Sequence, residues 1–265
     1  MSTDTDTRAP SRPSAAPLPA NTPGLSEFWR LADTAKTQTE YLANERLHRL
    51  ADAPFDVLQK ILIQYRYFTI FYITDLALLV AKLPFGELRS LLADFLNDEL
   101  GNGDHDAAHE RLYDNFLMSL GLDAQELDRD PNRANLRLLD TLQQRVTSEG
   151  PAYAVGLRGM GGECLCQIYL AAMHEHFSKN PAIRERAKDL DWVFWDIHTG
   201  EVDIAHREKL KAALHEYVLE NPDELPELVR GYVDAKSIFE QFWENIYSDY
   251  LGPAAASKRR AATAS

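Results

Sequence analysis

Residues 61–81 read ILIQYRYFTIFYITDLALLVA, a run in which Gln64, Arg66 and Asp75 stand among apolar and aromatic side chains. The run belongs to a longer helical pattern from Asp52 to Leu83, with Pro54 suited to an early turn and Pro84 stopping it. A helix that is apolar almost all round must be covered on several sides. Flanking charges and the overall composition argue against a bilayer as the cover, so other helices must supply it. An all-α bundle is the expected fold. A carboxylate in such a helix has three fates, and Asp75 is expected to be paired, protonated or bound to a cation.

Helical spacing continues on both sides. Upstream, a helix is expected from Ser26, a suitable N-cap, to Leu50, with Phe28, Trp29, Leu31, Tyr41 and Leu42 as its contacts and His48 solvated at its end. Downstream, Leu88, Leu91, Leu92, Phe95 and Leu96 carry a helix from Phe85 to Glu99, and a new apolar phase follows from Leu112 to Leu117. Further helices are expected over 131–149, 152–177, 181–198, on through Val218, and 226–250. The helix over 152–177 holds Gly156, Gly159, Gly161 and Gly162 beside Glu163, which leaves room for a close backbone or a ligand. Strand-like alternation is absent. Residues 1–24 and 251–265 are too rich in Ser, Thr, Pro and Ala to offset ordering entropy and are expected to be disordered tails around one helical domain, 25–250.

Among the 265 residues the formal charge is −13, which disfavours a nucleic-acid partner. The two cysteines, Cys164 and Cys166, are too close along one helix to bridge readily, and no signal-peptide pattern opens the chain; a cytoplasmic protein is expected. The aromatic content of the last helix would suit a homodimer contact.

Three separated segments carry carboxylates and imidazoles. Glu99 and His109 bracket ELGNGDHDAAH, Glu163 interrupts an apolar run, and His198, Asp203 and His206 lie in HTGEVDIAH. Oxygen and nitrogen donors without thiolates suit iron or manganese better than a closed zinc site. In one regular helix Glu99 and His109 would lie about 80° apart, and Gly101 and Gly103 permit the kink that improves their convergence. His105 points elsewhere and reads as exposed. His174 and His176 read as surface residues.

This pattern resembles the haem-oxygenase-like diiron oxidases and oxygenases, relatives of the thiaminase-like and quinone-cofactor-synthase scaffold. The resemblance spans about residues 26–250 and implies a helical bundle of about seven helices around two irons, with O2 as co-substrate. It carries the metal-ligand roles onto Glu99, His109, Glu163, His198, Asp203 and His206, with Asp75 the nearest candidate to complete the site. The family spaces its last cluster as His, three residues, Asp, two residues, His, whereas four residues separate His198 from Asp203. In a regular helix those two would stand about 140° apart, so a break or wide turn over Thr199–Glu201 is expected. Without it, Glu201 replaces Asp203 as ligand.

The resemblance further implies oxidation of a small organic substrate, an amine or amino acid in a specialised biosynthetic pathway, with an external electron donor where the reaction requires one. Arg158 is expected to orient a substrate carboxylate, and Arg66, Tyr169 and Trp195 are further candidates for the wall. Two readings compete. A metal-free thiaminase-like or cofactor-biosynthesis enzyme would use Cys164 or Cys166, and a helical interaction protein would bind no metal.

Overall fold

A computed structural model describes residues 24–128, 131–198 and 201–253, with the side chains of 201–206 left outside the description. The elements are α1 (Leu25–Leu47), α2 (Phe55–Lys82), α3 (Glu87–Glu99), α4 (His109–Ser119), α5 (Ala124–Leu127), α6 (Arg133–Ser148), α7 (Pro151–Ala154), α8 (Gln167–Phe177), α9 (Pro181–Arg186), α10 (Val193–His198), α11 (Glu201–Glu220) and α12 (Leu225–Ile246). No strand occurs among the described residues, and no described helix is long and apolar enough to cross a membrane. The all-α bundle is the fold that the apolar pattern called for.

The first half of α2 is its core half. Leu58, Ile61, Leu62, Tyr65 and Phe68 are buried, and α2 as a whole packs on α3, α4, α6 and the glycine-rich rod further along the chain. Cover thins along the second half, where Ile70, Phe71 and Ile73 are half-buried and Thr74 is exposed. Gln64 meets its hydrogen-bonding need by accepting from the Asn132 N–H at 2.7 Å. Arg66, expected near the cavity wall, instead forks onto Asp114 of α4 at 2.6 and 3.1 Å and reaches Asp128 at 2.9 Å. It clamps α2 to α4.

Several boundaries differ from expectation for local reasons. α1 begins before Ser26: Gly24 caps it, and the Glu27 carboxylate accepts from the Gly24 N–H. The Leu83–Gly86 turn delays α3 to Glu87 and leaves Phe85 exposed. At the far end, Leu251 is buried and its carbonyl accepts from Arg49 at 3.0 Å, so the packed chain runs past residue 250. His174 and His176 are half-buried rather than free on the surface. His174 stacks on Trp195, and His176 pairs with Asn44 at 2.9 Å.

The largest departure is the rod over 151–177. Between α7 and α8, residues Val155–Cys166 form a π-helix, with its wider turn, and this segment packs chiefly against α12. The contact is made by glycine on both sides. A Cβ on Gly156 would lie 2.1 Å from the Leu228 carbonyl oxygen, and a Cβ on Gly231 would lie 2.1 Å from that of Tyr153. The two backbones therefore touch without intervening side chains. Leu225, Leu228, Tyr232, Ala235, Ile238, Phe239, Phe242, Trp243 and Ile246 form the buried face of α12 around that crossing.

Candidate metal centre

Glu99 closes α3 and His109 opens α4, and a glycine turn folds one back onto the other. Gly101 N–H donates to Asp98 O and Asn102 N–H to Asn97 O, each at 2.8 Å, the paired bonds of a Schellman stop. Gly101, Asn102 and Gly103 all take positive φ, at 81°, 54° and 93°. The helix therefore ends at Glu99, as expected, and restarts at His109 after a full reversal, in place of the kink or widened turn that the two glycines were expected to permit. Convergence comes from the reversal: His109 Nδ1 lies 3.0 Å from Glu99 Oε2.

His198 arrives from α10. Its ring sits 4.6 Å from that of His109, centroid to centroid, and 4.1 Å from Phe194. His198 Nδ1 lies 2.7 Å from the Phe194 carbonyl oxygen, so the N–H belongs on Nδ1 and the lone pair on Nε2. Burial lowers the His198 pKa, against the pull of Glu99, which favours the neutral ring that binds metals. One donor atom each from Glu99, His109 and His198 falls within 4.8 Å of the others. Two donors in adjacent positions about 2.1 Å from one ion would lie about 3 Å apart, so the Glu99–His109 spacing fits a shared metal. Among the described residues this is the buried donor set suited to a single ion. Asp104, His105 and Asp106 also cluster, but all three are exposed, as expected for His105.

Glu163 stands in the π-helix and lines the same cavity, outside that tight set. The Tyr72 hydroxyl donates to its Oε1. Burial, then Glu163 and Glu99, hold the Tyr72 phenol well above its usual pKa, so it keeps the proton it donates. Gly162 makes the contact possible, since a Cβ there would come within 2.4 Å of the Tyr72 ring. Asp203, His206 and the alternative ligand Glu201 have side chains outside the described residues. Of the break expected over Thr199–Glu201, residues 199–200 lie outside the described residues, and Glu201 opens α11.

Asp75 and Arg158 serve each other. Both are 0% exposed, with Arg158 Nε 3.0 Å from Asp75 Oδ2. Gln143 donates to Asp75 Oδ1 at 3.0 Å. Burial pushes the Asp75 carboxyl up while Arg158 and Gln143 draw it down. The guanidinium packs on the rings of Phe68 and Tyr72, at 4.8 and 4.7 Å. Neither residue lines the cavity, so the geometry supports neither a completing ligand at Asp75 nor a substrate clamp at Arg158. Asp75 takes the paired fate.

The cavity, about 520 Å³ with its open mouth, has a different wall from the one expected. Tyr65, Phe68, Thr69 and Tyr72, spaced i, i+3, i+4 and i+7 on α2, form one side, and Gln167, Leu170 and Phe194 form much of the rest. That spacing was the signal available in the sequence. Tyr169 instead stacks on Trp243, and Trp195 packs among Phe116, Phe177 and Tyr113. Cys166 lines the cavity, with Sγ 3.2 Å from the Tyr65 hydroxyl; Cys164 is buried, and that burial pushes its thiol up to about 12.

Fold and site together define a haem-oxygenase-like helical protein with a buried carboxylate and imidazole centre. The chain belongs to the family of iron-containing redox enzymes, which matches residues 59–235. Solved structures share the fold. A CADD-like protein of unknown function from Nostoc punctiforme is 18% identical, with TM-score 0.66 over 84% of this chain and 100% of the other. A domain of unknown function with a haem oxygenase-like fold from Shewanella denitrificans is 16% identical, with TM-score 0.61 over 86% and 94%. A TenA homologue from Pseudomonas syringae is 13% identical, with TM-score 0.63 over 83% and 93%. No curated protein matches the sequence.

Proposed function

We propose that the chain is a non-haem diiron oxidase or oxygenase that uses O2 to oxidise a small organic substrate, an amine or amino acid of a specialised biosynthetic pathway. The observation that carries this reading is the convergence of Glu99, His109 and His198 from α3, α4 and α10 on one cavity that Glu163 also lines. Asp203 and His206, on the first turns of α11, are assigned to complete the pair of sites. Two irons held there would supply electrons for O2 activation, with an external donor resetting them where turnover requires it.

The remaining roles belong to the protein itself. The Phe194 carbonyl fixes the tautomer of His198, and the Tyr72 hydroxyl aims Glu163. The aromatic wall limits water and holds the substrate against the centre. Asp75 and Arg158 back that wall from behind Phe68 and Tyr72.

Anaerobic ferrous loading followed by desalting and elemental analysis should approach about two equivalents of iron per chain. One equivalent would reduce the proposal to a single-metal centre, and none would remove it. Glu163→Ala should lose both bound iron and O2-dependent turnover; full turnover by that variant would overturn the diiron assignment. A metal-free enzyme is the second reading, favoured by Cys166 in the cavity wall. Turnover that survives chelation and stops on alkylation would support it.

A further inference from the structure

We propose that a second cleft, between α1 and α11, binds a small zwitterion with an apolar body, the chemical class of a neutral α-amino acid. The inference stands apart from the metal reading, because the described lining of the cleft shares no residue with that of the metal cavity.

The cleft encloses about 580 Å³ with its open mouth. Met160 and Cys164 of the π-helix and Tyr232 of α12, all buried, form its floor, and Trp29 and Ala32 of α1 form an apolar side. The floor holds one unmet polar group. Tyr232 is 1% exposed, and its hydroxyl makes no hydrogen bond among the described residues. Burial, with Cys164 and Asp33 adding to it, holds that phenol above its usual pKa, so it stays protonated and can both donate and accept. A buried hydroxyl without a partner costs stability until water or a ligand meets it.

The charged side chains of the described lining are Asp33, Lys36, Arg207, Glu208 and Lys211, and only some of them are satisfied in place. Glu208 accepts from Arg207 Nε at 3.3 Å, and Lys36 lies 3.7 Å from Glu40. Lys211 of α11 and Asp33 of α1 make no ion pair among the described residues, and the terminal nitrogens of Arg207 remain for a further acceptor. Opposite charges thus face one cleft from its two sides without joining.

A ligand that carries both signs satisfies this arrangement. Its carboxylate meets Lys211 and Arg207, its ammonium meets Asp33 and the Tyr232 hydroxyl, and its body lies on Met160, Cys164 and Ala32. A lone anion would face Asp33 unpaired, and a lone cation would face Lys211 and Arg207. Trp29 adds contact area without a free ring face, since the Lys211 ammonium lies over its ring, 5.8 Å from the centroid. None of the candidate metal ligands is in the described lining, so the occupant is held there rather than oxidised.

Isothermal titration calorimetry on the full-length protein tests this with phenylalanine, 2-phenylethylamine and 3-phenylpropionate. Phenylalanine should bind about tenfold or more tightly than either single-charge probe. Two variants locate the site. Lys211→Glu, which reverses the free cation, and Ala32→Trp, which fills the cleft, should each weaken phenylalanine about tenfold or more with the circular dichroism spectrum unchanged. Gln167→Phe, which narrows the metal cavity instead, should leave that affinity as it is. The proposal fails if a single-charge probe matches phenylalanine or if no probe binds. It fails equally if either folded cleft variant binds as tightly as the wild type, or if Gln167→Phe is the variant that loses binding.

Discussion

Two side-chain pairs around the centre make distinct predictions at the scale of the residue. Tyr72 touches Glu163 through its hydroxyl, while its ring lines the cavity and packs on Arg158, contacts that a phenylalanine would keep. Tyr72→Phe should therefore preserve folding, by circular dichroism, while lowering metal affinity about 10–100-fold in a competition titration against a chromogenic chelator. An unchanged affinity would mean that the hydroxyl does not aim the carboxylate. Asp75 and Arg158 lie deeper and concern stability first. Asp75→Ala leaves a buried guanidinium uncompensated, and urea unfolding should show a loss of about 3–5 kcal/mol. Arg158→Met with Asp75→Leu, which removes both charges and keeps their volume, should recover most of that loss. If the double variant is no better than the single, the pair does more than neutralise itself. The sequence demanded a partner for Asp75 and could not name Arg158, because the choice is made by α2 crossing the π-helix and by nothing local.

Elements set the geometry that these residues use. The stretch from Glu99 to His109 displayed its two candidate ligands plainly, yet not the way they meet. A kink between in-phase turns and a full stop with reversal both place glycine at 101 and 103, and the hydropathy of 112–117 fits either. The deciding facts are backbone ones, the φ of 81° at Gly101 and the 2.1 Å that would separate a Cβ there from the Asp104 carbonyl oxygen. Gly101→Ala should accordingly cost about 1–2 kcal/mol for the left-handed conformation, with a further loss for the clash. Calorimetry should show a lower Tm, and metal retention should fall even though no ligand has changed. Retained affinity with a lowered Tm would mean that α3 and α4 hold their ends together without the turn. The π-helix was illegible for another reason: GLRGMGGE has no hydropathic signature that separates an i+5 from an i+4 bond, and only its fit against α12 selects the wider winding.

For the molecule as a whole, the apolar face pattern was enough to fix the class of fold, since a helix such as 61–81 tolerates few surroundings. The donor triad was legible too, because carboxylates and imidazoles recur together in separated segments, Glu99 with His109 and His198 with Asp203 and His206. The wall was not, since aromatic residues such as Tyr169 and Trp195 look the same in sequence whether they face a cavity or the core. A bundle that folds around clustered acids should gain stability when a cation neutralises them. Anaerobic Fe(II) at about 1,000 times its Kd should add about 4 kcal/mol, or about 2–4 °C of Tm for each kcal/mol, reversed by chelation. Equal melting with and without iron would mean that the cation binds the unfolded chain as well. The touching backbones at Gly156 and Gly231 carry a consequence for variation. Each position is closed to every other side chain by the main chain opposite, and substituting one does not open the other, because the obstacles are carbonyl oxygens. In a saturation mutagenesis screen scored on abundance, both sites should tolerate nothing but glycine, standing out as sharply as the proposed metal-binding positions should in a screen scored on turnover, though neither touches the centre.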